Sequence, residues 1–401
     1  MIVFLCAAWL HSNLAIAQVK LFDEPLKPLA VTLTADFKLI NTPDQSGAEL
    51  GRTDLGQGMA DPQYFKSAGT LAYKDEQGND VVLAVEIEPR GMRRRHYCQY
   101  KPLDIKFLAQ PSDELFKNST KSVEMVTHCQ GESYLNSVFT EYFAYRTKNA
   151  LVAPSFRVRM ADITYVDTTG KFPTVTYPGI FLEPKKGMAK RVAATVFDLT
   201  DAEKKVPFSQ TEISNGQVWA SMYGDSFVPK MMMRARVYNK YIADLGKVGQ
   251  TLEQAFLQIL GRAVVQNYDV SESYLVNVFP IQFTSGALQM VEYDFDGVNF
   301  SEPTTSNVLT NAFAEYAKGL KMTLADYKTK RTAVEKQNDQ KEVLAAIDRV
   351  LNGYTASGLD GELSSFTDPH YDTKNLSGVL TKVIDKLKAV QADPKTAFSF
   401  L

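Results

Sequence analysis

Apolar and polar residues alternate in short runs through the first part of the chain, and the spacing then lengthens to three and four. LAVTLTADFKLI (29–40) alternates and is β-branched, so it predicts a strand. GTLAYKD and DVVLAVEIEPRG flank EQGN, which predicts a hairpin. LDIKFLA (103–109) and SVEMVTHC (122–129) predict further strands, as do FRVRMADITYVD and TVTYPGIFLE. Between them, Leu135, Val138, Phe139, Tyr142, Phe143 and Arg146 recur at helical steps, predicting a helix from about Tyr134 to Leu151.

Later segments follow the same logic. The region 185–250 is mixed, with a polar loop near 200–217 and a helix containing MMMRARVYNKYIADLG, whose methionines read as core filling. Leu252, Ala255, Phe256, Ile259, Leu260, Ala263 and Val264 give the clearest helical period, which should stop near Asn267. SYLVNVFPIQFT and ALQMVEYDFD predict a second hairpin. From about 305 the chain is helical, with a charged middle that reads as a solvated face. NTPDQSGAELGRTDLGQGMADP (41–62) is rich in turn formers and predicts a loop.

Composition narrows the classes. The chain has 401 residues, 45% of them hydrophobic, and a formal net charge of −2. It is long enough for two packed cores and carries no basic footprint for nucleic acid. MIVFLCAAWLHSNLAIAQ reads as a signal peptide. Its apolar run, Ile2 to Leu10, is too short to span a bilayer, and Ala15-Ile16-Ala17 predicts cleavage before Gln18. No later segment is apolar enough to serve as a transmembrane anchor, so the expected location is secreted or periplasmic. Cys6 leaves with the signal. Cys98 and Cys129 remain and predict a disulfide in an oxidising compartment. His96 and His128 beside them leave tetrahedral zinc as the alternative.

The order of elements carries the chemistry. A strand with Lys106 precedes a helix with Glu141. Two strands then run into GIFLEPKKG, an amphipathic helix ends in QNYD, and a strand pair ends in YDFDG. This is the order of a protein-kinase fold, in which transfer depends on charge neutralisation and positioning. Expected divisions are a signal over 1–17, a β-rich lobe with one helix over 18–184, a second lobe over 185–305, and a helical C-terminal extension over 306–401.

VEIEPRGMRRRHYCQYKPLDIKF, YPGIFLEP, QNYDVSESYLVNV and VEYDFDG together resemble motifs of the CotH spore-coat kinase family. VEMVTHC and EYFAYRTKNAL are similar to segments of secreted CotH-like bacterial proteins. The resemblance covers roughly residues 60 to 305, with Val270 standing where the family carries Trp. It implies an α+β, atypical kinase-like fold using ATP and Mg²⁺ or Mn²⁺. Carried over, Asp269 orients the acceptor hydroxyl. Asn277 and Asp294 hold the metal, with Asp296 as helper. Lys106 meets phosphate with Glu141 as its partner, Arg90 reaches phosphate from the RG turn, and Glu183 marks the hinge. The implied activity is phosphoryl or nucleotidyl transfer to a protein or cell-surface acceptor. The competing classes are an inactive envelope-binding protein on the same fold and a carbohydrate-active protein, which requires paired carboxylates across a cleft.

Overall fold

The computed structural model describes residues 20–24, 27–41, 43–44, 63–90, 94, 98–113, 115–117, 121–151, 154–215, 228–248, 251–267, 277–295 and 298–401. The signal segment, the loop expected over 41–62 for most of its length, His96, Asp269 and Asp296 lie outside the described residues.

The chain is α+β with a helical C-terminal region. The β-rich part closes into a seven-stranded barrel, which element order alone does not indicate. Its strands are β1 (Leu29–Ala35), β2 (Ser67–Lys74), β3 (Asp80–Pro89), β4 (Leu103–Phe107), β5 (Ser122–Val126), β6 (Val158–Asp167) and β7 (Val175–Leu182), in the order β1-β2-β3-β4-β5-β7-β6. Neighbours are antiparallel except at the closure, where β1 runs parallel to β6 with Val31 opposite Ile163. Alternation has a direct cause here. Leu29, Val31, Leu33 and Ala35 of β1, and Leu103, Ile105 and Phe107 of β4, fill the interior. The residues between them face outward, as expected for a small barrel filled by its own side chains.

Gly179 of β7 is required by close approach. A Cβ there would stand 2.4 Å from Ile163 Cδ1 and 2.8 Å from the Val126 carbonyl oxygen. The glycine of YPGIFLEP therefore has a packing reason of its own.

Helix α1 (Leu135–Leu151) packs on the outer face of β6 and β7, where Val158, Met160, Ile180 and Leu182 join its core. The expected one-sided stripe is only part of the helix. Glu141, Arg146, Thr147 and Lys148 are buried as well, so α1 is enclosed on nearly all sides. Each buried charge on it then needs a partner. Lys148 pairs with Glu292 at 2.6 Å, Arg146 takes both carboxylate oxygens of Glu362, and Glu141 faces Arg94.

The main elements after the barrel follow, several of them against α1. They are α2 (Lys185–Arg191), β8 (Ala194–Val196), α3 (Val228–Val248), α4 (Leu252–Val264), β9 (Val265–Asn267), β10 (Val278–Phe283), β11 (Leu288–Glu292), β12 (Val298–Phe300), α5 (Thr305–Gly319), α6 (Leu324–Lys330), α7 (Ala333–Ser357), α8 (Leu359–Ser365) and α9 (Lys374–Ala392). β8, β10 and β11 form one small sheet, and β9 pairs with β12. Thr251 with Gln254 and Thr332 with Glu335 form capping boxes that start α4 and α7. Met231 and Met232 of α3 are buried, as core filling predicts.

The C-terminal helices complete the core around α1. Val343, Ile347 and Val350 of α7, with Leu380, Val383 and Leu387 of α9, belong to one apolar cluster with Tyr142, Phe143, Phe256 and Leu260. Among the described residues no helix is long and apolar enough to cross a membrane.

Candidate functional site

The site forms where the β10–β11 hairpin leaves its sheet beside α1. β11 ends at Glu292, whose carboxylate is buried between Lys148 and Arg262. The next three residues are each held separately. Tyr293 lies beneath Lys185, whose Nζ stands 3.7 Å from the ring centroid. Asp294 has φ 63°, in the left-handed region, and donates its backbone N–H to Tyr145 Oη at 3.0 Å. Phe295 is fully buried, with its ring edge-on to Tyr145 at 4.8 Å.

Asn277 stands at the other arm of the hairpin. Its carbonyl accepts the Tyr293 N–H at 2.9 Å, and its φ of 54° is also left-handed. Asn and Asp tolerate this conformation better than other non-glycine residues. Both expected metal ligands therefore sit at the same end of one hairpin.

Glu141 and Tyr145 are one helical turn apart on α1 and face this end together. Tyr145 meets the Asp294 backbone directly. Glu141 meets it through Arg94, whose Nη2 donates to Asp294 Oδ1 at 2.6 Å and to Glu141 Oε2 at 3.3 Å. Burial pushes the Tyr145 phenol well up, so it acts as a neutral hydroxyl.

Arg90 stands beside this group and pairs with Glu124 of β5. Burial works against its charge, but Glu124, Tyr145 and Asp294 more than offset that and hold the guanidinium above its usual range. Burial pushes the Glu124 carboxyl up, while Arg90 and Lys185 pull it back. Burial raises the Tyr293 phenol too, yet Lys185 and Arg234 outweigh it and leave the phenol below its ordinary value. The centre is thus a set of half-buried cations, Arg90, Arg94 and Lys185, among carboxylates and two tyrosines.

Arg90, Glu141, Asn277 and Asp294 converge from four separate parts of the sequence. Lys106 does not join them. It sits on the outward face of β4, half exposed, and pairs with Glu86 at 3.3 Å. The expected Lys106–Glu141 pair is therefore not formed; among the described residues Arg94 is a cation that faces Glu141. The reason is position round the barrel: Ile105 points in and Lys106 points out, but α1 covers β6 and β7, and β4 is separated from β7 by β5. Glu183 is buried at the end of β7. Its carboxylate is taken up by Arg191, with Nη2 at 2.9 Å, and by Arg157 at 3.2 Å.

Cys98 and Cys129 form the expected disulfide, with sulfurs 2.02 Å apart, so the zinc alternative does not hold for this pair. The bond fits an oxidising, extracellular compartment. Among the described residues no group of three or more His, Cys, Asp or Glu side chains is arranged to hold a metal ion.

Sequence reasoning missed Arg94, Tyr145, Glu124 and Lys185. Tyr145 carried a usable signal, being four residues beyond Glu141 and so on the same helical face. Arg94 had none, because nothing in RGMRRR tells which of its arginines meets a distant carboxylate. Comparison with protein-family models, curated proteins and solved structures finds no match to this chain.

Proposed function

We propose that this is an exported, kinase-like transferase that moves a phosphoryl or nucleotidyl group from ATP, with a divalent metal, to a protein or other cell-surface acceptor. One observation carries the reading: Glu141, Arg94 and Asp294 form a continuous ion-pair relay from a buried helix to the hairpin end that bears Asn277. An ion pair between a helix glutamate and a cation beside a metal-type aspartate is what phosphoryl transfer uses to position its donor.

The donor set fits the cofactors. The Asp294 carboxylate and the Asn277 amide oxygen are hard oxygen donors of the kind Mg²⁺ prefers, and Mg²⁺ keeps several waters of its own. Arg90, Arg94 and Lys185 supply positive charge for a polyphosphate. ATP supplies the transferred group when bound. Glu141 orients Arg94, and Tyr145 fixes the backbone of Asp294. Asp269 and Asp296 keep the roles the resemblance implies, as acceptor-orienting residue and auxiliary ligand.

A specific observation favours a second reading, an envelope-binding protein without transfer activity. Asp294 Oδ1 already accepts from Arg94 at 2.6 Å, so a cation must compete with a guanidinium for it. Thermal shift with ATP and Mg²⁺ or Mn²⁺ separates the two. A metal-dependent nucleotide shift in the wild type that disappears in Asp294→Ala supports transfer. No shift in a folded wild type supports the binding protein.

A further inference from the structure

An open cavity of about 460 Å³ lies where the start of α1, the β9–β12 ladder and the start of α9 meet. Its volume falls within the range of small-molecule sites, about 300–1,000 Å³. The polar lining is unusual in kind. Asn136, Gln266, Asn299 and Asn375 bring four amides to one space, joined by the Thr140 hydroxyl and the Asp372 carboxylate. Each amide both donates and accepts hydrogen bonds. None of the described lining residues is basic, so the cavity has no cation to receive a phosphate, sulfate or uronate group.

Two aromatic side chains, Phe300 and Tyr371, complete the wall. Tyr371 is fixed in place. It stacks on Phe143 with centroids 5.3 Å apart and planes at 13°, and lies edge-on to Phe366. Asp372 is also oriented, accepting the Lys374 N–H at 2.9 Å. A ligand suited to this wall has many hydroxyls that both donate and accept, together with C–H faces for the rings, and carries no negative charge. We propose that this cavity is a binding site for a neutral saccharide.

The inference does not rest on the transferase reading. The two sites share α1, however, since Thr140 lines the cavity and the adjacent Glu141 belongs to the ion-pair relay.

Calorimetric titration of the full chain, without nucleotide or metal, tests it with chitotetraose, cellotetraose, maltotetraose and tetragalacturonate. At least one neutral tetrasaccharide should bind. Asn299→Ala and Asn375→Ala should each weaken that binding at least about tenfold, and tetragalacturonate should neither bind nor compete. Both asparagines are exposed, so the variants keep the fold, which circular dichroism verifies. Absence of binding by every neutral probe to folded wild-type protein overturns the proposal. So does binding that survives the Asn299→Ala/Asn375→Ala double variant, or equal binding of the acidic probe.

Discussion

Arg94 Nη2 donates to Asp294 Oδ1 at 2.6 Å across 200 positions of sequence. The same guanidinium reaches Glu141, which is almost wholly buried on α1. The contact joins the segment after β3, the central helix and the hairpin end. It also sets up a competition, because the oxygen that would ligate a divalent cation already accepts from a cation of the chain.

That competition predicts the behaviour of Arg94→Ala. Removing the guanidinium takes one donor from Asp294 Oδ1 and lifts a like-charge repulsion, so Mn²⁺ should bind at least about tenfold tighter, ~1.4 kcal/mol. Nucleotide binding should weaken, since a phosphate-facing cation is lost. Calorimetry with Mn²⁺ alone and then with ATP reads both. Arg94→Lys, which keeps the charge, should show a smaller gain. Unchanged Mn²⁺ affinity in both folded variants would remove Asp294 from the list of metal ligands.

The second prediction concerns the C-terminal helices. Arg146 of α1 donates Nε to Glu362 at 2.8 Å and Nη2 to the Ser357 carbonyl at 3.2 Å. Both partners lie in the region expected to be an extension. Glu362→Ala removes one half of a buried pair, which costs on the order of 3–5 kcal/mol. Urea unfolding measures it. A chain ending at residue 304 lacks α7 and α9 from the shared core and should fail to fold. A soluble, cooperatively unfolding 18–304 fragment would show that these helices are dispensable.

How far the sequence revealed this fold depends on distance along the chain. Strands β1 and β4 were legible because one face is filled and the other wet, which writes a period of two into the residues. Barrel closure was not. The β1–β6 pairing joins Leu29 to Ala161, and no local pattern records such a partner. The position of α1 was legible, but its burial was not, because Glu141 and Lys148 look like a polar face until their partners are known. The same blindness hid Arg94: a run of arginines reads as solvated unless something distant neutralises it. Lys106 failed for a related reason: its place in the element order does not tell that barrel closure sets β4 apart from β6 and β7, the strands α1 covers.

The disulfide gives a third prediction. Cys98 and Cys129 are separated by 31 residues, and closing a loop of that length restricts the unfolded chain by about 3–4 kcal/mol. The Cys98→Ser/Cys129→Ser double variant should lose stability of that order, and wild-type protein in reductant should match it. A double variant as stable as the oxidised wild type would place the benefit of this bond elsewhere than in chain restriction.

His128 supplies the last prediction, a pH dependence. The ring is fully buried, stacked on Tyr177 with centroids 3.9 Å apart and flanked by Tyr100 and Tyr165. Neither ring nitrogen has a hydrogen-bond partner among the described residues. Burial disfavours the charged form and brings the imidazole from its ordinary 6.5 down to about 4. As pH falls through 6.5 the unfolded chain takes up a proton that the folded chain refuses until about 4. Between these values the unfolded state binds more protons, so stability falls with falling pH. The loss should reach about 3 kcal/mol and level off below pH 4. In His128→Phe the ring contacts persist without a titrating group, so this part of the slope should vanish. Urea unfolding of both proteins from pH 4 to 7 measures the difference, and identical slopes would mean that the imidazole protonates without opening its tyrosine cage.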